Sequence, residues 1–145
     1  MQLLDAARGL FAQQGYTATS MAEVAAAAQL STGALYHHWS TKRDLLAAVV
    51  SAIHRRLATE IAESVPGDAA ALQRFEHAGL FFLHRCTDRD VARILLTDAP
   101  AILGPAWDEL DQRWWLGPTE ELLRQAMTEG TLVATDPRLL ATALL

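Results

Sequence analysis

The chain has 145 residues, 51% of them apolar and 20% charged, with a formal net charge of −5. That is enough apolar material for one compact core or two small ones, and 8 glycines and 5 prolines without a visible repeat exclude low-complexity sequence. No apolar run reaches the roughly 18 residues that span a bilayer, the amino terminus lacks a secretory pattern, and the lone Cys86 cannot close an internal disulfide, so a cytoplasmic globular protein with no membrane partner is expected.

The first predicted helix runs Met1 to Gln14, with Leu3, Leu4, Ala7, Leu10 and Phe11 on one face and Gly15 as its left-handed stop. Ser20 followed three residues on by Glu23 is a capping box that starts a second helix. Met21, Val24, Ala25 and Ala28 give that helix a single apolar stripe. Ser31 caps a third, Thr32 to His37, only about two turns long and too short to persist without tertiary support. Leu35 and Trp39 are its inward anchors. Two short helices joined by a tight turn, the second presenting Thr32, Gly33, Tyr36 and His37, match a helix-turn-helix, whose second helix enters the DNA major groove.

The residues Thr19-Ser20, Glu23-Val24-Ala25, Leu30-Ser31, Gly33, Leu35-Tyr36, His38-Trp39 and Lys42, with Asp44-Leu45 following, resemble the tetracycline-repressor (TetR) family of bacterial transcription regulators. The resemblance implies that Ser31, Thr32, Gly33, Tyr36 and His37 face DNA, with Ser20 and Lys42 at flanking phosphates. Packing of Tyr36 against the first helix is the competing reading. Two residues depart from the family pattern. Gln29 stands at a turn position usually held by glycine, where a left-handed backbone costs about 1 kcal/mol, and Trp39 replaces the more usual phenylalanine. Up to Asp44 the charges balance, Arg8, Lys42 and Arg43 against Asp5, Glu23 and Asp44. A neutral head needs basic residues upstream of Met1, or two heads acting together, to hold DNA.

Thr41 and Asp44 form a second capping box, opening a long helix that carries Leu45, Leu46, Val49, Val50, Ile53, Leu57 and Ile61 to about Ser64. Asp68 to Arg85 reads as the next helix; its stretch Gly79 to Leu83 is apolar all round, which predicts burial on every side. Gln73, His77 and His84 align on it, either as a solvated edge or as the polar lining of a ligand cavity. A short helix Asp88 to Asp98, with Arg89 and Arg93 outward and Ile94 and Leu95 inward, is expected to break at Ala99-Pro100 through Pro105. The segment from Leu96 to Gly104 also resembles the ligand-binding half of one TetR subgroup. Trp107, Leu110, Trp114 and Trp115 mark a helix expected to stop at Gly117-Pro118, and Thr119 to Glu129 the helix after it. Pro137 opens a last helix that runs to Leu145 and ends on uncapped apolar residues, so the record is expected to be incomplete at that end.

Catalysis is not expected. Cys86 and His84 point to different faces of one helix, and His77 and His84 lie two turns apart, about 10 Å, too far for one metal ion. Asp108, Glu109 and Asp111 suit the start of a helix, and no phosphate-cradling loop appears. The expectation is therefore an all-α, non-enzymatic protein without cofactor or metal: a helix-turn-helix DNA-binding head over 1–42 and a helical ligand-binding and dimerisation bundle over 43–145. Its partners are double-stranded DNA, a small-molecule effector and a second copy. A ligand cavity walled by Phe81, Phe82, Trp107 and Trp114, oriented by His77 or His84, predicts an apolar or aromatic effector; complete filling of the core by these rings is the alternative. Leu122, Leu123, Ala126 and Met127 predict the dimer face. The resemblance implies a repressor whose two recognition helices sit in successive major grooves until ligand changes their spacing. A head that has lost DNA binding and serves a protein partner is the competing function.

Overall fold

The computed structural model describes residues 2–145, apart from the Gln2 side chain, so Met1 of the expected first helix lies outside the described residues. The elements are α1 (Gln2–Gln14), α2 (Met21–Ala27), α3 (Thr32–His38), α4 (Lys42–Ser64), α5 (Ala71–Arg85) and α6 (Arg89–Val91), then a π-helical stretch (Ala92–Asp98), α7 (Ala99–Leu103), α8 (Pro105–Thr128) and α9 (Pro137–Leu144). No strand occurs among the described residues. Two compact units share the chain, the first made of 1–53 and 86–108, the second of 54–85 and 109–145.

In the first unit the core is built from the predicted stripes. Phe11 of α1, Val24 and Ala25 of α2, Leu35 of α3, and Leu45, Leu46, Val49 and Val50 of α4 are fully buried, together with Val91, Ile94, Leu95 and Ala99. The caps also form as the sequence predicts. Ser20 Oγ accepts from the Glu23 amide at 3.2 Å while Glu23 accepts from the Ser20 amide at 2.7 Å, Ser31 Oγ accepts from the Ala34 amide at 3.1 Å, and Thr41 and Asp44 cap each other. Gly15, at φ +86, ends α1 in a left-handed conformation that favours glycine, with the flexible end of Arg93 lying beside it.

Three expectations are corrected. The break at Ala99-Pro100 does not occur: the π-turn delivers the chain straight into α7, near whose start Pro100 loses an N–H cheaply. The chain turns instead at Gly104, whose φ of 51° and ψ of −131° are open to glycine almost alone. Nor does a helix stop at Gly117-Pro118, because α8 runs through with Pro118 inside it. Trp115 on one side of that proline and Thr119 and Leu123 on the other are anchored in the second unit, and that packing outweighs the roughly 3 kcal/mol an internal proline costs. Finally, α5 is not buried on every side, since Leu80 and Leu83 are 69% and 63% exposed. Hydropathy records which residues favour burial, not whether a neighbour exists to cover them.

Candidate nucleic-acid interface

The turn between α2 and α3 sets the angle of the exposed helix. The Leu30 amide donates to Ala25 O at 2.9 Å and the Gln29 amide to Ala26 O at 3.1 Å, the paired bonds that close a helix around a left-handed residue. That residue is Gln29, at φ 57, as its place in the turn predicts. Leu35 then pins α3 to the core while Ser31, Thr32, Gly33, Tyr36, His37 and His38 lie on the exposed surface. Tyr36 is 49% exposed, so about half of its surface is open to a partner. One short helix thus offers two hydroxyls, a phenol and two imidazoles to a partner, with a glycine that permits close approach.

Ser20 and Lys42, expected at flanking phosphates, are engaged elsewhere. The Ser20 hydroxyl donates to Glu23 at 2.7 Å, and that bond, first among the causes, holds the Glu23 carboxyl below its ordinary pKa. The Lys42 ammonium donates to Tyr16 O at 2.8 Å and Thr19 O at 2.7 Å, with Thr17 O at 3.4 Å, and sits 4.3 Å from the centre of the Tyr16 ring. A lysine has three N–H donors, and here all three point at the carbonyls of the α1–α2 turn. The electrostatic reason is local: those carbonyls leave a concentration of partial negative charge that a cation satisfies.

The second unit holds most of the residues expected around a ligand. His77 is half-buried and lies 2.9 Å from Ser64 Oγ, with its ring 6.4 Å from that of Phe81. Phe82 meets Trp115 edge to face at 5.8 Å, Trp114 is half-buried and His84 is exposed. Trp107 belongs to the first unit. In the first unit a depression of about 490 Å³ is lined by Ala12, Gln13, Asp88, Arg89 and Asp90.

Sequence reasoning missed the chemical centre of the second unit. His54 is completely buried, its Nδ1 accepts from the Trp115 indole at 2.8 Å, and Asp111 Oδ1 stands 3.9 Å from its Nε2. An indole only donates, so the neutral ring carries its proton on Nε2. Burial pushes the His54 pKa down to about 4, because desolvation disfavours the charged imidazolium. Asp111 opposes this, but at 3.9 Å from a partly solvated carboxylate its attraction is too weak to win. The missed signal was position: His54 falls on the Val50–Leu57 apolar stripe of α4. Of the expected dimer residues, Leu123 and Ala126 are 2% and 1% exposed and belong to the core of their own unit, whereas Leu122 and Met127 are half-buried. The helical period placed all four on one apolar face but could not say that α8 spends its central line internally. Leu139 and Leu144, 68% and 52% exposed, are the more open apolar residues at that end.

Residues 3–49 match the model of bacterial regulatory proteins of the tetR family, and residues 72–145 match the model of the tetracyclin repressor-like C-terminal domain. The Transposon Tn10 TetC protein of Escherichia coli is 28% identical over 141 residues, which cover 92% of this chain and 68% of that protein. Other curated relatives are matched over 34%, 35% and 42% of their length. A TetR-family transcriptional regulator from Pectobacterium atrosepticum aligns at a TM-score of 0.80 and 32% identity, over 98% of this chain and 73% of that one. AibR, solved in complex with isovaleryl coenzyme A and operator DNA, aligns at a TM-score of 0.64 and 25% identity, over 97% of this chain and 78% of its own.

Proposed function

Because this chain belongs to the tetR family of bacterial regulatory proteins, we propose that it represses transcription by holding a roughly palindromic operator and lets go when a small apolar or aromatic effector binds. The observation that carries the reading is α3: its inner face is pinned by a fully buried Leu35 while Ser31, Thr32, Gly33, Tyr36 and His37 stand exposed in a row suited to a major groove. In this reading residues 1–42 read DNA and 43–145 sense and dimerise. Ser20 and Lys42 position the head rather than touch phosphate. The alternative of a protein-binding head is not favoured, since the relatives matched over the head are transcriptional regulators.

The effector side of the proposal rests on the second unit. Phe81, Phe82 and Trp114, with Trp115 and the neutral His54 beyond them, make an apolar, aromatic environment with few polar groups, the usual lining of a small-molecule site. AibR is a relative whose ligand, isovaleryl coenzyme A, carries a small apolar acyl group. A second copy of the chain supplies the other half-site, through the exposed apolar side chains of α9 together with Leu122 and Met127. In this reading the protein acts in the cytoplasm, beside the DNA it regulates. No helix among the described residues is long and apolar enough to cross a membrane.

Selection of bound sites from random DNA, followed by a screen of apolar, aromatic and acyl-thioester compounds for release, tests the whole reading. Recovery of a palindrome, and a compound that both quenches tryptophan emission and frees the DNA, is the expected result. Enrichment of no sequence would sink the DNA reading. Release without any change in tryptophan emission would move the effector site away from Trp114 and Trp115.

A further inference from the structure

Up to Asp44 the chain carries three side-chain cations, Arg8, Lys42 and Arg43, and they stand in different surroundings. Arg8 is paired with Asp90, its side chain 19% exposed. The half-buried Lys42 directs its ammonium to the carbonyls of Tyr16, Thr17 and Thr19. Arg43 is exposed. It is nevertheless held at one edge, since its Nε donates to Ile102 O at 3.3 Å and its Nη2 to Leu103 O at 2.8 Å, at the end of α7.

Those two bonds decide what the rest of the guanidinium can do. A guanidinium is a planar fork of five N–H donors. The carbonyls take the edge formed by Nε and Nη2. The edge formed by Nη1 and the second Nη2 proton makes no bond among the described residues. Two parallel donors of this kind match the oxygens of a phosphate. The neighbouring carboxylate does not claim them, because Asp44 accepts from the Thr41 amide at 3.0 Å and forms no ion pair with Arg43 among the described residues.

Position along the chain also suits a DNA backbone. Arg43 is the second residue of α4, which begins soon after α3 ends at His38. Five residues of chain reach at most about 17 Å, and the major groove that would receive α3 is about 12 Å wide. The strand bordering the groove therefore lies within reach of this side chain. Contacts to that strand fix the register and orientation of a recognition helix.

We infer that Arg43 grips a phosphate of the operator backbone beside the groove read by α3, with the last carbonyls of α7 aiming its guanidinium. The backbone contact expected of Lys42 passes to the next residue, because the α1–α2 turn draws the lysine inward. The assignment rests on the DNA-binding reading above and fails separately from it.

The test uses the full chain and a fluorescent duplex of mixed sequence, titrated by anisotropy over a fourfold range of salt. Arg43→Gln removes the charge and keeps an amide donor for the α7 carbonyls; Arg43→Lys keeps the charge. Thermal unfolding shows that each variant is folded, and Arg43→Met, read in the same way, replaces Arg43→Gln should the latter not fold. One phosphate contact contributes about 0.9 to the salt slope. Over the fourfold range the unaltered chain should therefore lose about 3.5 times more affinity per bound head than Arg43→Gln. Arg43→Lys should keep the slope of the unaltered chain. A slope unchanged by Arg43→Gln overturns the assignment, since the guanidinium then only closes α7. A slope lowered equally by Arg43→Lys overturns it too, since the loss then follows the α7 contact and not the charge. In both cases DNA binding stands. No binding by the unaltered chain at any salt refutes the DNA reading and this assignment with it.

Discussion

Acid should loosen the second unit through one residue. The His54 pKa falls from 6.5 to about 4 on folding, so between these values the unfolded chain binds the proton and the folded one resists it. Stability therefore rises with pH across that window and is lost as pH drops through it. At 1.36 kcal/mol per pK unit, the loss is about 2 kcal/mol by pH 5 and about 3 kcal/mol at pH 4. Glu23, Glu121 and Asp90 are carboxyls held below their ordinary values. For Asp90, burial raises the pKa but the Arg8 hydrogen bond and charge outweigh it. Such groups lose their contribution only as pH falls through the carboxylate range, so pH 6.5 to 5 isolates the histidine. Urea unfolding followed by Trp fluorescence at half-unit steps reads the effect directly, because Trp115 is the hydrogen-bond partner of His54. His54→Gln keeps an acceptor for the indole and cannot titrate. It should be less stable than the unaltered chain at pH 7 yet nearly flat from 6.5 to 5. If the two proteins lose stability in parallel over that range, burial of His54 is not the cause.

Gln29→Gly should raise stability by about 1 kcal/mol, seen as a higher Tm, because it removes the cost of a left-handed non-glycine residue; an unchanged or lower Tm would mean that Gln29 is held without strain. Lys42→Met should weaken DNA binding while leaving the salt slope unchanged, since the ammonium serves turn carbonyls; a slope lower by about 1 would place it on a phosphate instead. Leu123→Ala should cost about 2–5 kcal/mol in denaturant unfolding as a buried large-to-small change. Sedimentation should show it assembling as the unaltered chain does, and dissociation without lost stability would return Leu123 to the interface.

The head was legible because its signals are local and redundant. Ser20 with Glu23, Ser31, and Thr41 with Asp44 each mark a helix start by chemistry acting over three residues, and Leu35 opposite Tyr36 gives α3 its inside and outside. Gln29 was legible as an exception for the same reason. The body was less so because its decisive facts are non-local. Whether Pro118 ends a helix depends on what Trp115 and Leu123 can reach. Whether Leu83 is buried depends on a neighbour, and whether a histidine on an apolar stripe is a ligand or a core residue depends on the indole opposite it. Lys42 shows the limit within the head itself, since a side chain that suits a phosphate by sequence suits a cluster of carbonyls equally well.

The bonds of the head's cations have a mechanical consequence. The stretch from α6 to α7 holds the head at four places: Asp90 pairs with Arg8, Asp98 accepts from the Tyr16 amide at 3.0 Å, the Arg93 guanidinium lies against Gly15, and the last carbonyls of α7 receive Arg43. Tyr16 and Gly15 belong to the same α1–α2 turn whose carbonyls Lys42 gathers. The turn that fixes the start of α2 is thus clamped from the first residue of α4 on one side and from the π-helical stretch on the other. A π-turn is a local alternative to the α-helical register and recurs at functional sites. Returning Ala92–Asp98 to α-helical register would rotate Asp98 away from the Tyr16 amide, and the head would lose that clamp while keeping its own core. Arg8, Lys42 and Arg43 are thus bonded around this turn, while the exposed side of α3 carries hydroxyls, a phenol and two imidazoles.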